Sequence, residues 1–235
     1  MPIDNWDESL LNDPHFTYRI QREAWRDKSR ALVMVADSPA EEITAFVEDM
    51  LAGIGLGLSG VSWRHVPEGK YVSDLVVSFI RTHFIVFDLL IASELIESTT
   101  LLRKQLELVS RLNELTDGEV PSSRLVGRVP NVRNVRSNAG GLYGTFSGVA
   151  HSSDPKHLEL LGSSEALATG WTSLYPKYGS NTLVAVHNYA HVALEFVYWA
   201  IEFFPRHDLP LRDPKLGGMA ARVVERMNEL AEQLS

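Results

Sequence analysis

The chain reads as all-α, and three observations carry that reading. Apolar residues recur at helical spacing through most of its 235 residues. Helix starts and stops are legible at several points, and no alternating series is long enough to build a sheet. Apolar residues make up 45% of the chain and charged residues 22%, ordinary proportions for a globular interior of this size. The expectation is a single domain over residues 1–235, a bundle of about seven to nine helices. Within it, N-terminal helices over 1–65 pack on a core bundle at 71–205, and 213–235 supplies a C-terminal helix.

Phe16 to Val35 opens the chain with a ragged amphipathic pattern, aromatic at Phe16, Tyr18 and Trp25 with basic residues between. Ser38-Pro39-Ala40-Glu41-Glu42 is a helix start: Ser as N-cap, Pro in the first turn, acids at the positive end. That helix carries Ile43, Phe46, Val47, Met50 and Leu51, and is expected to end in the run Gly53 to Gly60. This Gly-rich tail lacks the Lys-Ser/Thr ending of a phosphate loop and reads as a packing or hinge segment. Tyr71 to Glu97 predicts one long, largely buried helix, and Thr99 to Leu115 a more amphipathic one stopped by Asp117-Gly118.

Glu119 to Asn138 is irregular, with Pro121, Pro130 and the arginines 124, 128, 133 and 136, which could cradle a phosphate or lie in solvent. A helix from Ala139 to His151 follows, and Asp154-Pro155 starts a short one. Thr169 to Asn181 reads as a loop or short hairpin. Thr182 to Phe204 is a second buried helix ended by Pro205, and Asp213-Pro214 opens the last, to Leu234.

Charge and composition exclude some functions. A formal charge of −8 argues against a surface given over to nucleic acid. Cys is absent, which removes disulfides, thiolate ligands and a Cys nucleophile. The opening residues carry Asp4, Asp7, Glu8 and Asp13 rather than the basic start and apolar run of a secretory signal, so a cytoplasmic location is expected. The two most apolar helices are interrupted by Asp74, Arg81, Asp88 and Glu94, and by His187, His191, Glu195 and Glu202. A membrane span is therefore not expected.

Two polar ladders stand out. Tyr143, Ser147 and His151 sit at i, i+4 and i+8, a drifting stripe on one helix. Gly140, Gly144 and Gly148 form the neighbouring stripe, where a second helix could approach closely. Ser147 and His151 could pair as nucleophile and base, although no Gly-x-Ser-x-Gly elbow surrounds the serine and the default is a structural hydrogen bond. His187, His191 and Glu195 form the second ladder. Two imidazoles one turn apart can hold a divalent metal, with further ligands from His83, His151 or Glu107, or they can be a buried polar ladder bonded to neighbouring helices. Arg103 and Glu107, one turn apart, are a solvated ion pair or the marker of a polar centre. A ligand pocket lined by Tyr143, Trp171, Tyr175 and Tyr178 is a third arrangement.

The segment Thr99 to Val109 resembles the Leu-Arg-x-x-x-Glu helix of a family of uncharacterised bacterial all-helical proteins. Tyr143 to Ser153 is similar to that family's Tyr-x-x-x-Ser-x-x-x-His-x-Ser helix. The resemblance spans residues 75–205 and implies that Arg103, Glu107, Tyr143, Ser147 and His151 converge on a common interior site. It supplies a location rather than a reaction. These proteins are distantly similar to HEPN domains, helical modules of toxin and phage-defence systems. Active HEPN ribonucleases carry an Arg shortly before a His on one helix; here the residues at that distance from His151 are Gly144, Thr145 and Phe146. The resemblance therefore implies a protein acting through a partner or its own oligomer in bacterial stress or defence. A metal-dependent hydrolase built on the histidine ladder is the alternative.

Overall fold

The computed structural model describes residues 13–116, 122–125, 127–135, 139–151, 160, 174–211 and 215–234. Seven α-helices and two 3-10 turns make up the described part, with no strand among those residues. The helices are α1 (Pro14–Val33), α2 (Pro39–Leu58), α3 (Gly69–Ile91), α4 (Leu95–Thr116), α5 (Ala139–His151), α6 (Ser180–Arg206) and α7 (Leu216–Leu234). No helix among the described residues is long and apolar enough to cross a membrane.

The caps follow the local sequence. Asp13 accepts from the His15 N–H at 2.9 Å ahead of Pro14, and Ser38 accepts from the Glu41 N–H at 3.2 Å ahead of Pro39. Each side chain satisfies one of the orphan amides of a first turn, worth about 1 kcal/mol. Gly69 opens α3 because a Cβ there would stand 2.0 Å from the Trp63 carbonyl oxygen.

The α2 helix ends at Leu58, inside the Gly53–Gly60 run as expected, with Gly53, Gly55 and Gly57 still helical. Tertiary contacts offset the low helix propensity: Gly55 lies against Ile80, and Ile54 and Gly57 are buried. Two boundaries differ from the sequence reading. The expected helix Tyr71–Glu97 stops at Ile91, and α4 begins at Leu95. Ser93 makes that break with φ of 57°, its hydroxyl bonded to Thr182 at 2.9 Å and to Ser29. Pro205 lies inside the last turn of α6 rather than ending it. The expected short helix at Asp154-Pro155 lies outside the described residues.

The α6 helix is the axis of the bundle, touching α2, α3, α4, α5 and α7. It is buried almost all round, at Tyr189, Phe196, Val197, Trp199, Phe203 and Phe204 among others. Phe196 stacks on Phe79 of α3 at 4.2 Å, and the Trp199 indole donates to Thr116 Oγ1 at 3.3 Å. Each such side chain contributes about 1.5–3 kcal/mol by leaving water. Leu216, Ala220, Val223, Met227 and Leu230 make one apolar seam along α7, which packs on α2 and α6.

The link between α4 and α5 is tied down near its middle. Arg111 and Glu114 are both nearly buried, 2.9 Å apart. Arg111 also donates to the Arg128 carbonyl, and Glu114 accepts from the Asn131 N–H at 2.7 Å. These bonds hold Arg128 and Asn131 against α4, the helix on which α5 also packs. Arg124, Arg128 and Arg133 stay exposed, as in a solvated loop, and Arg136 lies outside the described residues.

Candidate functional site at the seam of α4 and α5

On its own, α5 is a poor helix: glycines occupy four of its thirteen positions, each costing about 1 kcal/mol relative to Ala. It is held by Phe146 and Val149, which point into the core, and by the polar stripe on its other side.

That stripe meets Arg103 and Glu107 of α4. Arg103 Nη2 donates to the Tyr143 hydroxyl at 3.1 Å, and that hydroxyl donates to Glu107 Oε1 at 2.8 Å. Arg103 Nη2 also lies 3.3 Å from Glu107 Oε1, closing a triangle. Arg103 Nη1 sits 3.0 Å from His151 Nε2, which accepts only if the imidazole proton is on Nδ1. The guanidinium lies 5.2 Å from the Tyr143 ring centroid, within cation–π range. The bond to Tyr143, with the nearby Glu107 carboxylate, pushes the Arg103 pKa further up. The site therefore holds a fixed cation braced by a phenol and a carboxylate.

The family resemblance implied an interior site, while Arg103 and Glu107 read alone left a solvated pair open. The structure places them at a seam open to solvent: the side chains of Arg103 and Glu107 are 23% and 28% exposed, and His151 is exposed. A polar cluster of this size is cheapest where water can complete its bonding. The glycine stripe follows expectation only in part, since Gly148 is buried. Gly144 is exposed, and a Cβ there would meet nothing within 4 Å, so no helix packs on that position.

Ser147 lies on the stripe between Tyr143 and His151, but its buried Oγ makes no hydrogen bond. His151 Nε2 is directed to Arg103. The Ser–His couple needed for nucleophilic catalysis is therefore not formed.

The second ladder has a different neighbourhood. His187 and His191 sit with ring centroids 6.4 Å apart along a groove of about 320 Å³ between α6 and α7. Leu194, Tyr198, Val224 and Met227 also line it, and Glu195 is nearly buried. Burial, and then the charge of His191, lower the pKa of His187. Among the described residues no three His, Asp or Glu side chains meet as a metal site. The expected further ligands are engaged elsewhere: Glu107 and His151 at the seam, His83 in the core.

That core position is what sequence reasoning missed. His83 is sealed between Phe79 and Tyr189, stacked on the latter at 4.2 Å. Gln105 Nε2, also fully buried, lies 3.2 Å from His83 Nδ1 and 3.2 Å from the Phe79 carbonyl. Tyr189 donates to Glu48 of α2 at 2.6 Å. Burial holds the His83 pKa down at about 3 and pushes Glu48 up to about 7, with Asp88 and Asp49 adding to the latter against the Tyr189 bond. The one available signal was Gln105 itself, a polar residue on the apolar face of α4.

The aromatic ligand pocket does not assemble as expected. Tyr175 stacks on Tyr18 at 5.6 Å beside a separate cavity of about 290 Å³, lined also by Arg22 and Lys177. Tyr143 is at the seam, Tyr178 packs against the core, and Trp171 lies outside the described residues.

No protein-family model, curated protein or solved structure matches the chain.

Proposed function

We propose that this is a HEPN-like helical protein that works by association, with a protein partner or a second copy, in a bacterial stress or defence setting. The seam of α4 and α5 is its working surface. One observation supports this above the others: Arg103, Glu107, Tyr143 and His151, from the consecutive helices α4 and α5, form one bonded network at a solvent-open edge. A braced arginine with a partly exposed aromatic beside it is the composition of an interface anchor. The Arg–His pairing that active HEPN ribonucleases carry on one helix occurs here between two, which favours the likeness in composition without its ribonuclease motif.

The metal-dependent hydrolase has no donor set of three among the described residues, and no other observation favours it.

The test is sedimentation of the purified chain, with cross-linking in native cell extract. Arg103→Ala is expected to weaken self-association, or capture of one defined partner, at least about tenfold. His187→Ala/His191→Ala should leave association unchanged. If the purified chain is monomeric and the two variants capture the same proteins equally, the seam is not the working surface.

A further inference from the structure

We propose that the seam between α4 and α5 binds a phosphate-type oxyanion, held by the Arg103 guanidinium, the Ser147 hydroxyl and the His151 imidazole. This rests on the reading of the seam as the working surface and names the chemistry it recognises.

Two atoms of the cluster are buried without a hydrogen bond: Arg103 Nε and Ser147 Oγ. The other Arg103 nitrogens, Tyr143, Glu107 and His151 Nε2 are all bonded to one another. An Nε–H can only donate, and a hydroxyl can donate as well as accept. The member the cluster lacks is therefore an acceptor, and buried donors are rarely left without one.

There is also room for it. Gly144, three residues before Ser147, is exposed, and neither it nor Gly141 has an atom within 4 Å of the place a Cβ would take. The result is a bare shelf on α5 beside the unbonded serine.

Charge points the same way. Glu107 is the one carboxylate in this network, and it is already tied to Tyr143 and Arg103. Its cost to an incoming anion is partly cancelled, and the guanidinium is held in place. His151 is exposed, so it can turn away from Arg103, free the Nη1–H and present its own N–H to the ligand. Donors from two helices, at different heights along α5, suit the tetrahedral oxygens of a phosphate better than the two coplanar oxygens of a carboxylate.

Proton–nitrogen NMR of the Arg Nε–H and His ring signals, with the melting temperature, reads this site directly. Inorganic phosphate and O-phosphoserine, titrated separately, distinguish a free ion from a phosphomonoester; acetate at equal ionic strength is the control. The intact chain is expected to show saturable shifts at Arg103 and His151 with at least one phosphate probe and none with acetate. Arg103→Gln should weaken binding at least about tenfold. Gly144→Leu should do the same while keeping the fold, because its side chain enters open space on the helix surface. No saturation by roughly 50 mM of either phosphate probe, or unchanged binding in Gly144→Leu, would overturn the proposal. Association that depends on Arg103 without phosphate binding removes the oxyanion and leaves the working surface. Phosphate binding with association unaffected by Arg103→Ala does the reverse.

Discussion

On one face of α4, Arg103 and Glu107 meet Tyr143 and His151 in a bonded network open to solvent. Across the same helix, Gln105 meets His83 inside the core, where Gln105 Oε1 and His83 Nε2 are left without partners. The seam is polar at little cost, since water can reach its edge. The core node is sealed, so each unbonded atom there costs about 1–3 kcal/mol. The difference shows that residue type alone does not set what a polar cluster is for. Arg103 Nε and Ser147 Oγ are buried without partners too, but they belong to a cluster that includes the exposed His151, whereas Gln105 and His83 are fully buried residues.

The sharpest way to break that contrast is to truncate the node. Gln105→Ala removes both amide bonds, leaves His83 Nδ1 without its partner and opens a cavity. The expected loss is about 2–4 kcal/mol in urea unfolding. Pairing Gln105→Met with His83→Phe deletes the unbonded atoms together and should recover most of that loss. Arg103→Ala, at the part-exposed seam, is expected to cost only about 1 kcal/mol. If Gln105→Ala costs no more than Arg103→Ala, the node is not held as argued.

The node also carries two titrations of opposite sign. His83 takes its proton at about 3 in the folded chain against 6.5 for an ordinary imidazole, so its contribution to stability is lost as pH falls from 6.5 towards 3. Glu48 takes its proton at about 7 against 4.5, so its contribution is present below 4.5 and is lost as pH rises to 7. Glu48 is only half-buried, which trims its share to about 1–2 kcal/mol between pH 5 and 8. Glu48→Gln keeps an acceptor for Tyr189 and should flatten that limb of the pH–stability profile while leaving the acid limb in place. An unchanged slope between pH 5 and 8 would show that Glu48 is not the group responsible.

What the sequence made legible follows from where the information lies. Helix faces and caps are local, so α1, α2 and α5 could be read from the amphipathic pattern of Phe16, Tyr18 and Trp25, from Ser38-Pro39, and from the spacing of Tyr143, Ser147 and His151. Arg103 and Glu107 were legible as a pair one turn apart, but their meeting with Tyr143 and His151 came only from the family resemblance. Properties that depend on the opposing element were not. The glycines of α2 do mark its end, at Leu58, but that the helix holds as far as Gly57 shows only once Ile80 is seen against Gly55. The break at Ser93 sits inside an unbroken apolar pattern and is fixed by hydroxyls from two distant helices. The residue types of the seam left a solvated pair and a polar centre both open, and its exposure corrects the interior site that the resemblance implied. Gln105 gives no periodic signal, being one polar residue on an apolar face.

The smallest expected effect sharpens the comparison from the other side, because the ladder of α6 has the same spacing as that of α5 with different neighbours. Tyr143 and His151 face an arginine and a carboxylate, whereas His187 and His191 look across a groove to Val224 and Met227. Both imidazoles are half-buried rather than sealed, so His187→Ala/His191→Ala should change stability by no more than about 0.5 kcal/mol. Its sign depends on pH. Burial lowers the His187 pKa, so the unfolded chain binds that proton more readily, and wild-type stability falls as pH drops below the ordinary imidazole value of 6.5. The double variant should lose that part of the acid sensitivity and match wild type above it. Zinc should give both proteins the same melting temperature, because two imidazoles without a third donor hold the ion only weakly. A zinc-dependent rise seen in wild type and absent from the variant would mean that a third ligand reaches the groove, and the two ladders would then differ in the ion they recruit rather than in whether they recruit one.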